Sequence, residues 1–335
     1  MIFNKFFILF KIGRKIGKSN IINIVSETHK IPVFIKLFFN LLAFSFSSSN
    51  NTKSKGKENL SESIQEMGTT FIKLGQFLAT RPDIIGEKLS KELESLQDKL
   101  PPFSKKGAEK IIIDNLGQSN FEDIIDLSDP IAAASIAQVH KAKIKEDNVI
   151  KNVAIKVLRP NIKKIFNDEI DAIMLLAYIV ESLITKTKRL KLIEVVFLFK
   201  EITNHEMDLR FEAAAANEYA ENTKNDLGFF VPKIYWNFTS ESVLTLDWVD
   251  GVSIREKDLL KERNIETSKI ATNLIQHFLR HAVRDGFFHA DMHQGNIFIN
   301  ESSQIVPIDF GIMGRIDKLS RRYLAEILYL SLIHI

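Results

Sequence analysis

Two short stretches in the last third of this chain constrain its fold more than anything else in it. His289-Ala290-Asp291-Met292-His293-Gln294-Gly295-Asn296 sits between a long amphipathic segment and an apolar run, and Asp309-Phe310-Gly311 follows a second apolar run. An Asp and an Asn five apart, followed by a DFG triplet, match the spacing of a phosphoryl-transfer loop and its metal ligand. Either motif alone occurs by chance. Upstream, Val153-Ala154-Ile155-Lys156 lies on a β-rich run just after a hairpin pattern. A Lys there pairs with nucleotide phosphates and is itself held by a helix Glu. Glu206, Asp208 and Glu212 are the candidate partners, and Asp208 and Glu212 share a helical face. Glu212, just ahead of the Ala213–Ala216 run, is the choice. Asn296 and Asp309 offer hard oxygen ligands of the kind Mg²⁺ prefers. Asp291 is the candidate to orient or deprotonate an attacking hydroxyl or water.

One expected part is missing. No G-x-G-x-x-G precedes Lys156, and its place is taken by Ile131-Ala132-Ala133-Ala134-Ser135-Ile136-Ala137-Gln138-Val139. Ala carries a Cβ that resists close backbone approach to phosphate, so this segment reads as a stiffer nucleotide cover. The backbone near Trp248 and Val249 is the expected seat of an adenine ring.

The surrounding pattern alternates helix and strand. Residues 61–99 repeat apolar side chains at three- and four-residue steps until Pro101 and Pro102 stop them, and a further helix is expected near 105–116. Val139–Ile144 and Val153–Leu158 read as a hairpin closed by a charged turn at Lys145–Asn148. Residues 161–223 return to helix. Val231–Phe238 and Ser242–Trp248 read as two more strands, 267–285 as a strong amphipathic helix, and Ile297–Ile299 and Ile305–Ile308 as short strands. Ser45–Ser63, rich in Ser, Asn, Lys and Gly, reads as a connector.

The 335 residues are 45% hydrophobic and 26% charged, which fits a globular chain with room for about two domains. A net charge of +3 is too balanced for a nucleic-acid binder, and the lack of cysteine excludes disulfides, thiolate metal sites and a cysteine nucleophile. The charge is unevenly placed. Residues 1–40 hold seven Lys or Arg against the single Glu27, together with seven Phe. Such a segment suits an anionic membrane surface, with rings at the acyl boundary, or else packs as an ordinary helix on its own domain. Lys36 and Asn40 interrupt its best apolar run, Val33–Phe46, so it is not expected to span.

Thr70-Phe71-Ile72-Lys73-Leu74-Gly75-Gln76 looks like a KxGQ motif at Lys73, Gly75 and Gln76, and Glu206-Met207-Asp208 looks like an ExD motif. With the Ala-rich segment, the loop and the DFG triplet, the chain resembles the UbiB family of atypical, protein-kinase-like proteins of ubiquinone biosynthesis, over about residues 60–320. The resemblance implies an α+β, protein-kinase-like two-lobed fold with an N-terminal helical extension and a C-lobe cut short, since family members continue well past the DFG region. It divides the chain into a basic, aromatic-rich segment and linker (1–59), the KxGQ extension (60–122), an N-lobe with inserted helices (123–249) and a partial C-lobe (250–335). It implies ATP and Mg²⁺ as cofactors. Asp291, Lys156, Glu212 and Lys73 would form the catalytic set, and Lys73, Gln76, Glu206 and Asp208 a regulatory set that hinders protein substrates. The implied partners are a membrane surface, isoprenoid or quinone precursors and other ubiquinone-biosynthesis proteins. The implied location is the cytoplasmic face of a bacterial inner membrane, in peripheral form, or an organellar inner membrane in a eukaryote.

Three other readings are open. His289, Asp291 and His293, or His277 and His281 at i, i+4, could ligate a metal, although this leaves Lys156, Glu212 and the DFG unexplained. A non-catalytic nucleotide-binding scaffold would keep the motifs without turnover. A small-molecule phosphotransferase could share the loop but would not need Lys73, Gly75 and Gln76. A hydroxylase has no support, because the chain carries neither a dinucleotide fingerprint nor an iron triad.

Overall fold

The computed structural model describes residues 2–18, 21, 60–96, 100–183 and 185–333. In chain order the helices and strands begin with α1 (Ile2–Lys18), α2 (Leu60–Met67), α3 (Thr69–Ala79), α4 (Pro82–Ile85), α5 (Glu87–Glu94), α6 (Lys105–Leu116) and α7 (Gln118–Glu122). Four strands follow, β1 (Ile124–Ile125), β2 (Pro130–Ala133), β3 (Ala137–Glu146) and β4 (Val149–Leu158), then α8 (Ile162–Leu183), α9 (Leu192–Glu206) and α10 (Leu209–Thr223). The remainder comprises β5 (Val243–Asp247), β6 (Gly251–Ser253), α11 (Lys257–Glu262), α12 (Thr267–Arg280), β7 (Phe287–His289), β8 (Ile297–Asn300), β9 (Ile305–Pro307), β10 (Met313–Arg315) and α13 (Lys318–Ile333). The chain divides into two compact units. One holds Met1–Pro102, Ala133–Ala137 and Arg159–Met207, and the other holds Phe103–Ala132, Gln138–Leu158 and Asp208–Ile335.

The first unit is helical. The helical pattern expected over 61–99 is cut into α2 to α5, because Gly68 and Gly86 take positive φ and Pro82 opens α4. The apolar repeat survives the breaks. Leu60, Ile72, Leu89, Leu93 and Leu96 form one buried cluster. Helix α1 turns Ile12 onto Met67, Phe71 and Ala172 in a second, and Lys15 Nζ donates to the Met67 carbonyl at 2.8 Å. Phe166 of α8 meets Phe199 of α9 edge-on at 5.5 Å. The expected connector at 45–63 falls largely on residues outside those described, as do Phe34, Phe38 and Phe39 of the basic segment. No described helix is long and apolar enough to cross a membrane.

The second unit is built on a five-stranded sheet of order β1-β3-β4-β5, with β2 also paired to β3. The β3–β4 hairpin closes through Asp147 and Asn148, both at positive φ, as a two-residue turn of this hand requires. Alternation along β4 buries Val153, Ile155 and Val157 on one face. That face packs with Ala108 and Ile112 of α6, Ile144, Tyr235 and Val243. Period-two geometry therefore places Lys156 on the opposite face. Pairing of Lys156 with Leu244 sets its height in the sheet.

The strand expected at Val231–Phe238 is a correction. Only an isolated bridge, Ile234 to Leu246, forms there, followed by a 3₁₀ turn at Trp236–Phe238. Pro232 lacks an N–H and prevents a continuous ladder. The rest of the unit carries the motif loop. The small sheet β6-β8-β9 and the pair β7-β10 bracket it, with His289 in register with Met313.

After α12 the chain makes one π-helical turn at His281–Asp285 and leaves it through Gly286 at φ +68°. A Cβ at Gly286 would lie 2.7 Å from the Ile316 carbonyl oxygen. Gly286→Ala is therefore expected to cost about 2 kcal/mol of stability, from left-handed backbone strain plus this clash. Urea denaturation checks it, and a loss under about 0.5 kcal/mol would contradict the account.

Candidate active site

The site grows from three elements of the second unit. Strand β4 presents Lys156. Helix α10 begins where Asp208 N-caps it, its carboxylate accepting from Arg210 N at 3.1 Å, and this starts the helix so that Glu212 falls in its first turn. The connection after β9 brings Asp309. Lys156 Nζ donates to Glu212 Oε1 and Oε2 at 2.9 Å each and to Asp309 Oδ2 at 3.4 Å. The Glu212 side chain is 7% exposed and that of Asp309 43%, so the first carboxylate is internal and the second faces outward.

The electrostatics follow from that difference. The Lys156 ammonium holds the Asp309 carboxyl below the usual carboxylate range, assisted by the Gly311 N–H at 3.0 Å. Burial alone would discharge Lys156, but Asp309 and Glu212 keep it charged and push its pKa up. Burial also pushes the Glu212 carboxyl up, and Lys156 opposes this.

The motif loop is tied to the same place. The neutral His289 ring, its pKa lowered by burial, donates from Nε2 to the Asp309 carbonyl at 2.6 Å. Its Nδ1 accepts from Asp291 N at 3.1 Å. Asn296 Nδ2 donates to Asp291 Oδ2 at 3.1 Å, and Ile308 N donates to the Asn296 carbonyl at 3.0 Å. His289 thus joins the two motifs through both nitrogens, and neither is left to bind a metal. Asn296 Oδ1 and Asp309, both oxygen donors, suit Mg²⁺.

The other candidates are placed as follows. Trp248 N donates to Asn152 O at 3.0 Å and its indole N–H to Asp250 at 2.8 Å, with Val249 in the strand-free link between β5 and β6. Ile131 and Ala132 lie exposed on β2. Val139 lies on β3. Ser135, Ile136 and Ala137 are buried. Ala133 and Ala134 lead into a turn in which Ala134 N bonds Ala137 O at 2.8 Å. Arg159 donates to Ala134 O at 2.8 Å and to Pro101 O at 3.0 Å, which pins the turn within the first unit. The Gln138 side chain is buried. It clamps the Phe103 backbone, accepting at 2.9 Å and donating at 3.2 Å.

The KxGQ residues belong to the first unit. Lys73 pairs with Glu206 at 2.9 Å. Gly75 is closely packed: a Cβ there would lie 2.5 Å from Leu96 Cδ1, so the tip of that side chain would have to shift. Gln76 is half-buried on the same helix. Asp208, the other expected carboxylate, caps α10 and pairs with Arg210 at 2.6 Å.

A second polar group was not read from the sequence. Asp226, Tyr219 and Arg284 join His281, one of the two histidines read above as an alternative metal pair. Asp226, His277 and His281 offer ligand atoms within 4.8 Å of one another. Arg284 already occupies both Asp226 oxygens, at 2.6 and 2.9 Å. A dication would have to displace that guanidinium, so the metal reading loses its support. Spacing pointed to the group: Tyr219 lies two helical turns beyond Glu212, on the same face.

These parts form a kinase-type constellation, and sequence comparison agrees. The ABC1 atypical kinase-like domain matches residues 95–334. This chain belongs to that family. Relatives named "Probable protein kinase UbiB" include those of Marinobacter nauticus, 35% identical over 302 residues, 89% of this chain and 54% of the relative, and Tolumonas auensis, 36% identical over 272 residues, 80% of this chain and 50% of the relative. That of Pseudomonas aeruginosa is 31% identical over 324 residues, 95% of this chain and 60% of the relative. The chain thus spans about half the length of the curated relatives it matches. Among solved structures, the Rv3197–erythromycin complex of Mycobacterium tuberculosis is similar at TM-score 0.53 and 26% identity, covering 72% of this chain and 59% of that one. The kinase-like fold and the family expected from the motifs are both borne out.

Two outcomes test the ion cluster. Lys156→Met leaves Glu212 buried and unpaired, and should cost about 3–5 kcal/mol, whereas Lys156→Met with Glu212→Leu should recover most of it; urea midpoints compare them. As pH falls, the unfolded chain protonates Asp309 before the folded chain does. The stabilisation from Lys156 and Asp309 is therefore complete above about pH 5 and lost as pH drops through the lowered Asp309 pKa. Asp309→Asn should flatten the acid limb of Tm against pH.

Proposed function

We propose that this chain binds ATP with Mg²⁺ and acts as an atypical kinase or ATPase supporting ubiquinone (coenzyme Q) biosynthesis, on or coupled to membrane isoprenoid precursors. The observation that carries the proposal is Lys156 Nζ, 2.9 Å from both Glu212 oxygens and 3.4 Å from Asp309. A charged lysine fixed by an internal carboxylate and aimed past an outward one serves phosphate binding. Lys156 would meet the α/β-phosphates, and the backbone at Trp248–Val249 would meet the adenine edge. The Ala-rich segment, without glycine, would cover the phosphates more stiffly. Asn296 and Asp309 would hold Mg²⁺, which when bound supplies charge neutralisation to the phosphates. Asp291, steadied by Asn296 and by its own N–H on His289, would orient the acceptor hydroxyl or water and take its proton. Lys73, Gln76, Glu206 and Asp208 would regulate access to the nucleotide.

The names of the relatives support the biosynthetic role. Membrane docking is supported by α1, whose Phe7 and Phe10 are exposed at 56% and 38% while Lys11 stands 4.7 Å over the Phe7 ring. Docking by this helix would hold the protein peripherally, at the cytoplasmic face of a bacterial inner membrane or at an organellar one, beside other ubiquinone-biosynthesis proteins.

The test pairs binding with turnover. Lys156→Ala should abolish the thermal shift given by Mg-ATP. Asp291→Asn should keep that shift and lose turnover by roughly 10²–10⁴-fold. Full rescue of a ubiquinone-deficient strain by Asp291→Asn would leave only the scaffold reading.

A further inference from the structure

Helix α10 carries a second buried anchor two turns beyond Glu212. Tyr219 is 0% exposed, and its ring meets Phe229, His281, Phe287 and Phe310 edge-on at 5.5, 5.1, 6.1 and 6.4 Å. Its hydroxyl lies 2.7 Å from His281 Nδ1. On the far side, His281 Nε2 lies 2.9 Å from Asp226 Oδ2. Asp226 is in turn gripped by Arg284, which also donates to Asn222 O at 3.1 Å.

The donors and acceptors admit one assignment. Burial keeps the ring neutral and the phenol protonated. The Asp226 carboxylate only accepts, so His281 carries its single proton on Nε2 and donates it to Asp226. Its Nδ1 then accepts the Tyr219 hydroxyl proton.

We infer that Tyr219 and His281, backed by Asp226, are positioning residues that hold the Glu212-bearing helix and the motif loop at a common height. The geometry supports this at both ends. Tyr219 shares its helical face with Glu212, whose Oε1 accepts from Phe310 N at 3.5 Å, so the anchor fixes the rotation of α10 about its axis. At the other end the Tyr219 ring meets Phe287 of β7 and Phe310; Phe310 in turn faces the ring of His289 at 6.1 Å, which contacts Asp291 N and Asp309 O. The line therefore aligns the lysine-holding carboxylate with the residues proposed for base and metal. Its effect on turnover rests on the ATPase reading above, and its existence does not.

The test uses the full chain, first with ¹⁵N-labelled histidine. At neutral pH His281 should report a neutral ring protonated at Nε2, and Tyr219→Phe should move the His281 Nδ1 signal. In turnover, Tyr219→Phe and His281→Ala should each lower kcat about tenfold while KM for ATP stays within about threefold. The double variant should be no worse than the worse single one, because both break one line. His281→Asn, whose amide oxygen can stand where Nδ1 does, should recover more turnover than His281→Ala at equal folded fraction. A proton on Nδ1, a His281 Nδ1 signal unmoved in Tyr219→Phe, additive kcat losses, or stoichiometric zinc lost on His281→Ala would each overturn the proposal. Absence of turnover in the parent chain would defeat the ATPase reading, and the histidine spectra would still decide the anchor.

Discussion

The fold of the second unit depends on an ion pair that is costly to bury. Removing Lys156 and Glu212 from water carries a penalty of several kcal/mol per ion unless both charges find partners in good geometry. Lys156 meets both Glu212 oxygens at 2.9 Å, and reaching that arrangement requires three elements to be in register at once. Strand β4 must pair so that Lys156 faces away from the Ile155 side of the sheet. Helix α10 must start at Asp208, one turn before Glu212. The Asp309–Gly311 segment must arrive with its amides available. A one-residue slip in β4 would turn Lys156 into the apolar core and leave Glu212 unpaired. The pair therefore acts as a check on the register of the whole unit.

The neutral histidines complement the charged pair. His289 joins the DFG segment to the motif loop through its two nitrogens, and His281 joins α10 to Asp226 in the same way. Each is buried and uncharged, so each bridges without adding a charge to be compensated. Tyr219 and Phe229 pack against the His281 ring and Phe310 against that of His289, which keeps water from competing for these bonds. In the first unit, Lys73 and Glu206 form a further ion pair. Family membership accounts for both sets of motifs in one chain.

Much of this was legible beforehand, and the failures have definite causes. The hairpin, the α6 span, the motif loop and the Lys156–Glu212 partnership were all readable, because each rests on local periodicity or fixed spacing. The strand expected at 231–238 failed because apolar alternation was weighed above Pro232, which cannot donate to a ladder. The helical run at 61–99 hid its breaks, since Gly68 and Gly86 preserve the apolar repeat while changing the chain's direction. Asp226 gave no signal at all. It lies between a helix and an irregular segment, and nothing local announces a carboxylate whose partners, His281 and Arg284, are more than fifty residues away.

The sequence by itself determined the residue types, their order and their periodicity. From these follow the amphipathic faces, the capping of α10 by Asp208, the side of β4 that Lys156 occupies, and family membership. Tertiary structure decided that Asp309 joins Glu212 at Lys156, which of the histidines are neutral bridges, and that Asp226 serves an arginine and a histidine rather than a metal. The physical reason is range. Backbone preference and side-chain period act over a few residues, whereas desolvation forces each buried polar group to find a partner wherever the folded chain brings one within about 3 Å.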